Sequence, residues 1–378
     1  MSLGSFGEVI NFCRRLIRTP SPSGAEGEVA QIIQEEMKRL GYDEVWTDEV
    51  GNVIGLIRGK MRSPAVMFTT HMDHVDPGDE TRWAFPPYGA VIRDGYIYGR
   101  GASDAKGAIA TQIYLKALLE GPPPSDIYMA YVVMEEVGGL GTRHLLTHLR
   151  PDVVVLGEPT GNELRIGHRG RMELIVEAHG KAAHASMPSE GKNPHYPMAS
   201  FLLRLKDLPM EEGGGFTASV APTLYYTDQS SGNVIPARAT LHVDWRTIPG
   251  QEEEEVLRRL QSILEEGMEV RVRRELMKTY TGREIELDVV HPPFYLDPHA
   301  EVVEKAKAAI EGALGRPIGV GPWSFTTDAG FFQREGIPVL GFSPCEEQYA
   351  HTYEDRVSIT MLEEALRCYP ALVEALAG

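Results

Sequence analysis

Val66-Met67-Phe68-Thr69-Thr70-His71-Met72-Asp73 is a mostly apolar run that ends in an imidazole and a carboxylate. A short apolar run of this kind reads as a strand covered on both faces, the type found in parallel sheets. In such sheets ligands bind beyond the carboxyl ends of the strands, which is where His71-x-Asp73 stands. In extended geometry the two side chains share a face, so Asp73 is placed to take a hydrogen from the second ring nitrogen of His71. Taken alone, the pair reads better as a structural His–Asp contact.

The pattern repeats along the chain. An apolar run at 127–134 is followed by Glu135-Glu136, one at 153–156 by Gly157-Glu158-Pro159, and one at 338–342 by Ala350-His351-Thr352. A further strand is expected at 52–57, with helices near 7–18, 26–40, 106–119, 142–149, 300–314 and 360–376. Helices alternating with short apolar strands predict an α/β fold: a mixed, mostly parallel sheet sandwiched by helices. The middle of the chain has another rhythm: strand 172–178, helix 197–208, strands 216–226 and 237–245, helix 252–266, strand 268–274. That β-α-β-β-α-β order predicts an inserted ferredoxin-like α+β domain, a lid or dimerisation element. The expected boundaries are 1–171 and 289–378 for a catalytic metal-binding domain and 172–288 for the insert.

Composition narrows the function. The 378 residues carry a formal charge of −17, which excludes the basic footprint that nucleic acid requires. No apolar run approaches the roughly 20 residues that span a bilayer. Met1-Ser2-Leu3-Gly4-Ser5-Phe6 lacks a basic stretch followed by an apolar one, so no secretory leader is expected. Cys13, Cys345 and Cys368 are an odd, scattered set without CxxC spacing, which reads as buried free thiols in a reducing cytoplasm.

Gly99-Arg100-Gly101-Ala102-Ser103-Asp104-Ala105-Lys106-Gly107 runs from a glycine-rich loop into a helix but lacks the GKS or GKT ending of a phosphate loop. An acid before a helix is ordinarily a cap. Beside other ligands, the two oxygens of Asp104 could bridge two ions. Adjacent Glu135 and Glu136 at the end of a buried strand repel each other unless a cation compensates. With alternating strand directions, one would ligate and the other face an activated water. One bridging aspartate and two terminal glutamates contribute −3 against the +4 of two divalent metals, and a hydroxide brings the sum near neutral. Converging imidazoles and carboxylates of this kind predict a metal-dependent hydrolase.

In this order the motifs resemble the family of aminoacylase, acetylornithine deacetylase, succinyl-diaminopimelate desuccinylase and carboxypeptidase G. Pro20-Ser21-Pro22-Ser23-Gly24 also belongs to the match, which runs nearly end to end. Within the family, Gly170-Arg171-Met172-Glu173 and Trp323-Ser324-Phe325-Thr326-Thr327 look most like hydrolases linked to selenium metabolism. Thr327-Asp328-Ala329 departs from the Gly/Ser-rich segment of the desuccinylases.

The resemblance implies two divalent metals, zinc with cobalt or manganese as alternatives. His71, Asp104 and Glu158 would hold one, and Asp104, Glu136 and His351 the other. Asp73 would orient His71, and Glu135 would be the general base. It further implies a cis peptide between Asp104 and Ala105. In the insert, His184 would reach a partner subunit's site, while Asn233 and Arg246 would contact substrate. The expected reaction is amide cleavage of an N-acyl amino acid, of the deacetylase or desuccinylase type. A dipeptidase or carboxypeptidase, an N-carbamoyl amino acid hydrolase and a non-catalytic binding relative are the alternatives. A homodimer through the insert is expected, with no nucleic acid or membrane partner.

Overall fold

Eight strands form the main sheet of the computed structural model, which describes residues 3–378; Met1 and Ser2, part of the stretch read above for a leader, lie outside the described residues. The strand order is Glu44–Thr47, Val53–Ile57, Ser125–Val132, Met61–His71, Val153–Leu156, Val339–Gly341, Leu164–Arg165, Val320–Gly321. The central pairings are parallel: Met61–His71 with Ser125–Val132 and with Val153–Leu156, and the latter with Val339–Gly341. The Glu44–Thr47 and Val53–Ile57 edge is antiparallel. Ser125–Val132 and Val153–Leu156 are buried almost throughout, which accounts for their unbroken apolar character. The fold is therefore mixed α/β with a mostly parallel sheet.

Helices Leu3–Arg18, Gly27–Arg39, Gly107–Ile113, Glu301–Leu314 and Ile359–Ala377 belong to the same unit. The helix expected over 106–119 is broken: after Ile113 the chain tightens into 3-10 geometry over Tyr114–Leu118. The Glu44–Thr47 strand was not foreseen, because Glu-Val-Trp-Thr is too short and mixed to show a period.

The smaller unit has four main strands in the order Ser219–Thr227, Arg238–Arg246, Arg171–His179, Met268–Val272, all antiparallel. By chain position that is 2-3-1-4, the ferredoxin-like arrangement. Met172, Leu174, Val176 and Ala178 alternate inward and meet Ala239, Leu241, Val243 and Trp245 on the neighbouring strand. Met198, Phe201 and Leu205 of helix His195–Lys206, with Val256 and Leu260 of helix Glu253–Gln261, complete that core.

The units divide elsewhere than at the expected 171/172 and 288/289. One holds the chain up to Gly167, Leu276–Ile285 and Tyr295–Gly378; the other holds His168–Glu275 and Glu286–Phe294. The segment Leu276–Ile285 joins the larger unit through long-range contacts no local pattern announces. Tyr280 Oη donates to the Gly51 carbonyl (2.9 Å), Thr281 Oγ1 to the Glu49 carbonyl (2.9 Å), and Arg283 pairs with Glu49 at 2.6 Å.

Candidate metal centre

His71 ends its strand fully buried, and its Nδ1 donates to the carbonyl of Asp73 at 3.0 Å. That bond fixes the tautomer, so Nε2 of the neutral ring presents its lone pair. Nε2 faces Asp104 Oδ1 at 3.0 Å and Glu158 Oε1 at 3.7 Å. On the other side of Asp104, Oδ2 lies 3.1 Å from His351 Nε2, which is itself 3.0 Å from Glu136 Oε1. One carboxylate thus spans two imidazoles, each with a further glutamate beside it. The Asp104–Ala105 peptide is cis, as the resemblance implies.

Asp73 does more than the sequence suggests. Its carboxylate Oδ1 stands 3.5 Å from His71 Nδ1, farther than its own carbonyl. Both oxygens instead accept from the next loop: Oδ1 from Glu135 N (3.1 Å), Oδ2 from Glu136 N (3.2 Å) and from Ser23 Oγ (2.6 Å). Alternating strand directions do not separate the two glutamates, contrary to expectation. The strand stops at Val132 and the chain turns through Met134, whose φ is +54°. A left-handed non-glycine residue is uncommon and is held here by surrounding contacts. Met134 N donates to Glu26 Oε1 (3.1 Å), and Val133 N to Asn52 Oδ1 (3.0 Å). From this turn Glu136 meets His351, while Glu135 groups with His71 and Glu158.

The Asp104 loop has its own anchor in Asp355, which is fully buried. Asp355 Oδ2 accepts from Gly101 N (2.7 Å) and Arg100 Nη1 (3.0 Å), and Oδ1 from Ser103 N (2.8 Å). His351 follows a turn in which the Arg356 guanidinium lies 4.1 Å from the Tyr349 ring centroid and its Nη2 donates to Tyr349 Oη at 2.6 Å. His351 has φ of +59°.

Electrostatics make the group a demanding one. Burial raises Glu135 well above the usual carboxylate range, reinforced by the charges of Glu158 and Asp328. Burial raises Glu158 likewise, and Glu136 to a lesser degree. Burial opposes charge on His71, but Glu158, Asp104 and Asp73 outweigh it and lift the imidazole well above its ordinary value. Hydrogen bonds to Asp104 and Glu136 push His351 up to about 10. Burial would raise Asp104 too, yet the contacts from His351 and His71 hold it well below the usual range. Glu158 Oε1 is buried without a hydrogen-bond partner, an arrangement that is costly unless a cation meets it. Two ring nitrogens, a bridging carboxylate and terminal glutamates fit a pair of divalent ions sharing Asp104.

Residues 67–375 match the family described as peptidase family M20/M25/M40. The chain belongs to that family. It is therefore a hydrolase of amide or peptide bonds, and a metallohydrolase by family. Among relatives of this M20 chain, an uncharacterised protein, YgeY of Escherichia coli K12, is 29% identical over 97% of the chain and 93% of its own length. A succinyl-diaminopimelate desuccinylase of Bradyrhizobium sp. BTAi1 is 28% identical over 97% of the chain and 98% of its own. The solved M20 family metallo-carboxypeptidase of Sulfolobus solfataricus shares the fold, with a TM-score of 0.78 at 18% identity over 98% and 99% of the two chains.

The remaining expected residues of the M20 chain lie in the smaller unit. His184 and Asn233 are close in that unit, since Ala183–His184 pairs with Val234–Ile235 and Ala185 N donates to the Asn233 carbonyl (2.9 Å). His184 is exposed, its Nδ1 2.7 Å from Ser186 Oγ. Arg246 ends its strand half-buried and donates to Asp244 through Nε (2.7 Å).

Asp355, Glu26 and Asn52 carry no signal in the sequence, and Ser23 enters it only as part of a matching motif with no role attached. Each is an isolated polar residue in a loop or helix start, and only its long-range partner gives it meaning. Asp328 was visible as a departure from the desuccinylase pattern. It is buried with both carboxylate oxygens lacking a hydrogen-bond partner, and burial pushes it up to about 7.

Proposed function

We propose that this protein is a dinuclear metal amidohydrolase that cleaves N-acyl amino acids, with the observation that Asp104 spans His71 and His351 carrying the reading. His71, Asp104 and Glu158 would hold one ion; Asp104, Glu136 and His351 would hold the other. Zinc suits the donors, with cobalt or manganese as alternatives. When bound, the pair supplies Lewis acidity and lowers the pKa of water.

The chain does the rest. Asp73 pins both the His71 end and the backbone of the Glu135–Glu136 turn, so ligand and base keep one spacing. Glu135 takes a proton from the attacking water and passes it to the leaving amine. Its raised proton affinity suits a base that must also act as an acid. His184 would stabilise the oxyanion, Asn233 would contact substrate, and Arg246 would exchange part of its Asp244 contact for a substrate carboxylate. A homodimer through the smaller unit is supported by its edge strand Ser219–Thr227, where Leu224, Tyr225 and Tyr226 stand exposed. Buried free thiols at Cys13, Cys345 and Cys368 support a cytoplasmic setting.

The test joins metal analysis to a hydrolysis panel of N-acetyl and N-succinyl amino acids, dipeptides and N-carbamoyl amino acids. At least two metal equivalents, two of them held at the Asp104 centre, with the highest kcat/KM on an acyl amino acid support the reading. Preference for dipeptides or carbamoyl compounds assigns the same centre to the rival substrate. Full metal loading with no turnover on any class makes the chain a binding relative.

A further inference from the structure

Asp48, His144 and His148 place a carboxylate oxygen and two ring nitrogens within 4.8 Å of one another, and none of them belongs to the centre above. Histidines four residues apart share a helix face. Leu140–Leu145 is helical, and Leu149 N donates to the Leu145 carbonyl (3.0 Å), so the turn carries on past His148. The two rings have centroids 5.4 Å apart and planes inclined by 58°. Asp48 comes from the turn between Glu44–Thr47 and Val53–Ile57. Its Oδ1 accepts from the backbone of Val50 (3.1 Å), Gly51 (3.0 Å) and Asn52 (3.0 Å), and Oδ2 from Asn52 Nδ2 (2.8 Å). The carboxylate is locked, with Oδ2 3.8 Å from His148 Nε2.

Hydrogen placement makes that gap informative. Thr147 Oγ1 donates its only proton to the His144 carbonyl at 2.7 Å. Toward His148 Nδ1, 3.4 Å away, it can therefore only accept. A ring with its hydrogen on Nδ1, the tautomer this contact favours, presents the Nε2 lone pair to the Asp48 carboxylate. At 3.8 Å the His148 Nε2 and Asp48 Oδ2 atoms are too far apart for a hydrogen bond. The gap is close to the roughly 3.4 Å between ligands of a tetrahedral ion with bonds of about 2.1 Å.

We propose that Asp48, His144 and His148 form an auxiliary site for a divalent transition metal, zinc by preference, with water completing the shell. Two imidazoles and one carboxylate are borderline donors of the kind zinc, nickel and cobalt take. The ion ties the Leu140–Leu145 helix to the Asp48 turn. Asn52 relays that tie: its Nδ2 donates to Asp48 Oδ2 and to the Gly141 carbonyl (both 2.8 Å), and its Oδ1 holds Val133 N (3.0 Å). Val133 stands two residues before Glu135. The site is a brace for the loop bearing Glu135 and Glu136, and no substrate chemistry is assigned to it.

Equilibrium dialysis of the full chain against micromolar free zinc, with metal counted by mass spectrometry, tests this. Wild type should bind one equivalent more than His144→Ala and His148→Ala. Zinc at about ten times its Kd should raise the wild-type Tm by about 2 °C over either variant. Asp104→Asn should lose metal from the other centre while keeping this equivalent, which separates the two readings. Equal stoichiometry in wild type and both histidine variants overturns the proposal. So does a loss of stability in His148→Ala that is the same in chelator as in zinc, since that marks a protonated His148–Asp48 pair.

Discussion

Replacing Asp355 by asparagine should both destabilise the larger unit and loosen the metal centre. The carboxylate accepts three bonds, from Gly101 N, Ser103 N and Arg100 Nη1, at 2.7, 2.8 and 3.0 Å. All three partners are donors. An amide keeps one acceptor oxygen but must turn its NH2 toward another donor, which leaves a buried N–H unpaired at about 1–3 kcal/mol. It also strips Arg100 of its counter-charge, and that side chain is only 4% exposed. Breaking a buried ion pair from one side costs about 3–5 kcal/mol. The two losses share one carboxylate and overlap, so the expected total stays at about 3–5 kcal/mol. Because the displaced loop carries Asp104, metal affinity should fall about 10–100-fold, the usual cost of removing a supporting partner. Urea unfolding of the metal-free chain measures the first effect, and chelator competition on the loaded chain the second. A variant within about 0.5 kcal/mol of wild type with unchanged metal affinity would refute the idea that Asp355 positions Asp104.

Glu135→Gln should keep both metals and lose most turnover, whereas Glu136→Gln should lose metal first; near-normal turnover in loaded Glu135→Gln would remove it as the base. Glu26 is buried, and burial followed by the charge of Asp73 pushes its carboxyl up to about 7. A folded pKa above the ordinary value of 4.5 means that the protonated form stabilises fully below 4.5 and that this contribution is lost as pH rises through 7. Glu26→Gln should therefore gain on wild type between those values, up to about 3 kcal/mol, and a pH-independent difference in unfolding free energy would contradict this. If His184 acts across a dimer, His184→Ala and Glu135→Ala should each be nearly inactive, yet a refolded equal mixture should recover about a quarter of wild-type activity. Verified mixed dimers without recovery would place His184 in its own chain's site or in none.

Much of the fold was legible because it rests on periodicity. Fully apolar runs at 127–132 and 153–156 can only be central strands, and the alternation of Met172, Leu174, Val176 and Ala178 can only be a sheet with one covered face. The candidate site residues were legible for a related reason: His71 closes a strand, and Glu135, Glu136 and Glu158 follow strand ends, where an unpaired charge has no local use. What tertiary structure decided was everything set by partners far apart in sequence. Asp104 becomes a bridge only because His71 and His351 arrive from different elements. Asp73 turns out to hold the Glu135–Glu136 backbone more closely than the His71 ring, and a left-handed Met134, rather than strand alternation, separates the two glutamates. Leu276–Ile285 joins the larger unit through Tyr280 and Thr281, although the local pattern placed it in the insert. Burial patterns are written into neighbouring residues, so the chain announces them itself; a hydrogen bond across 229 residues of separation exists only after both ends have been brought to the same place.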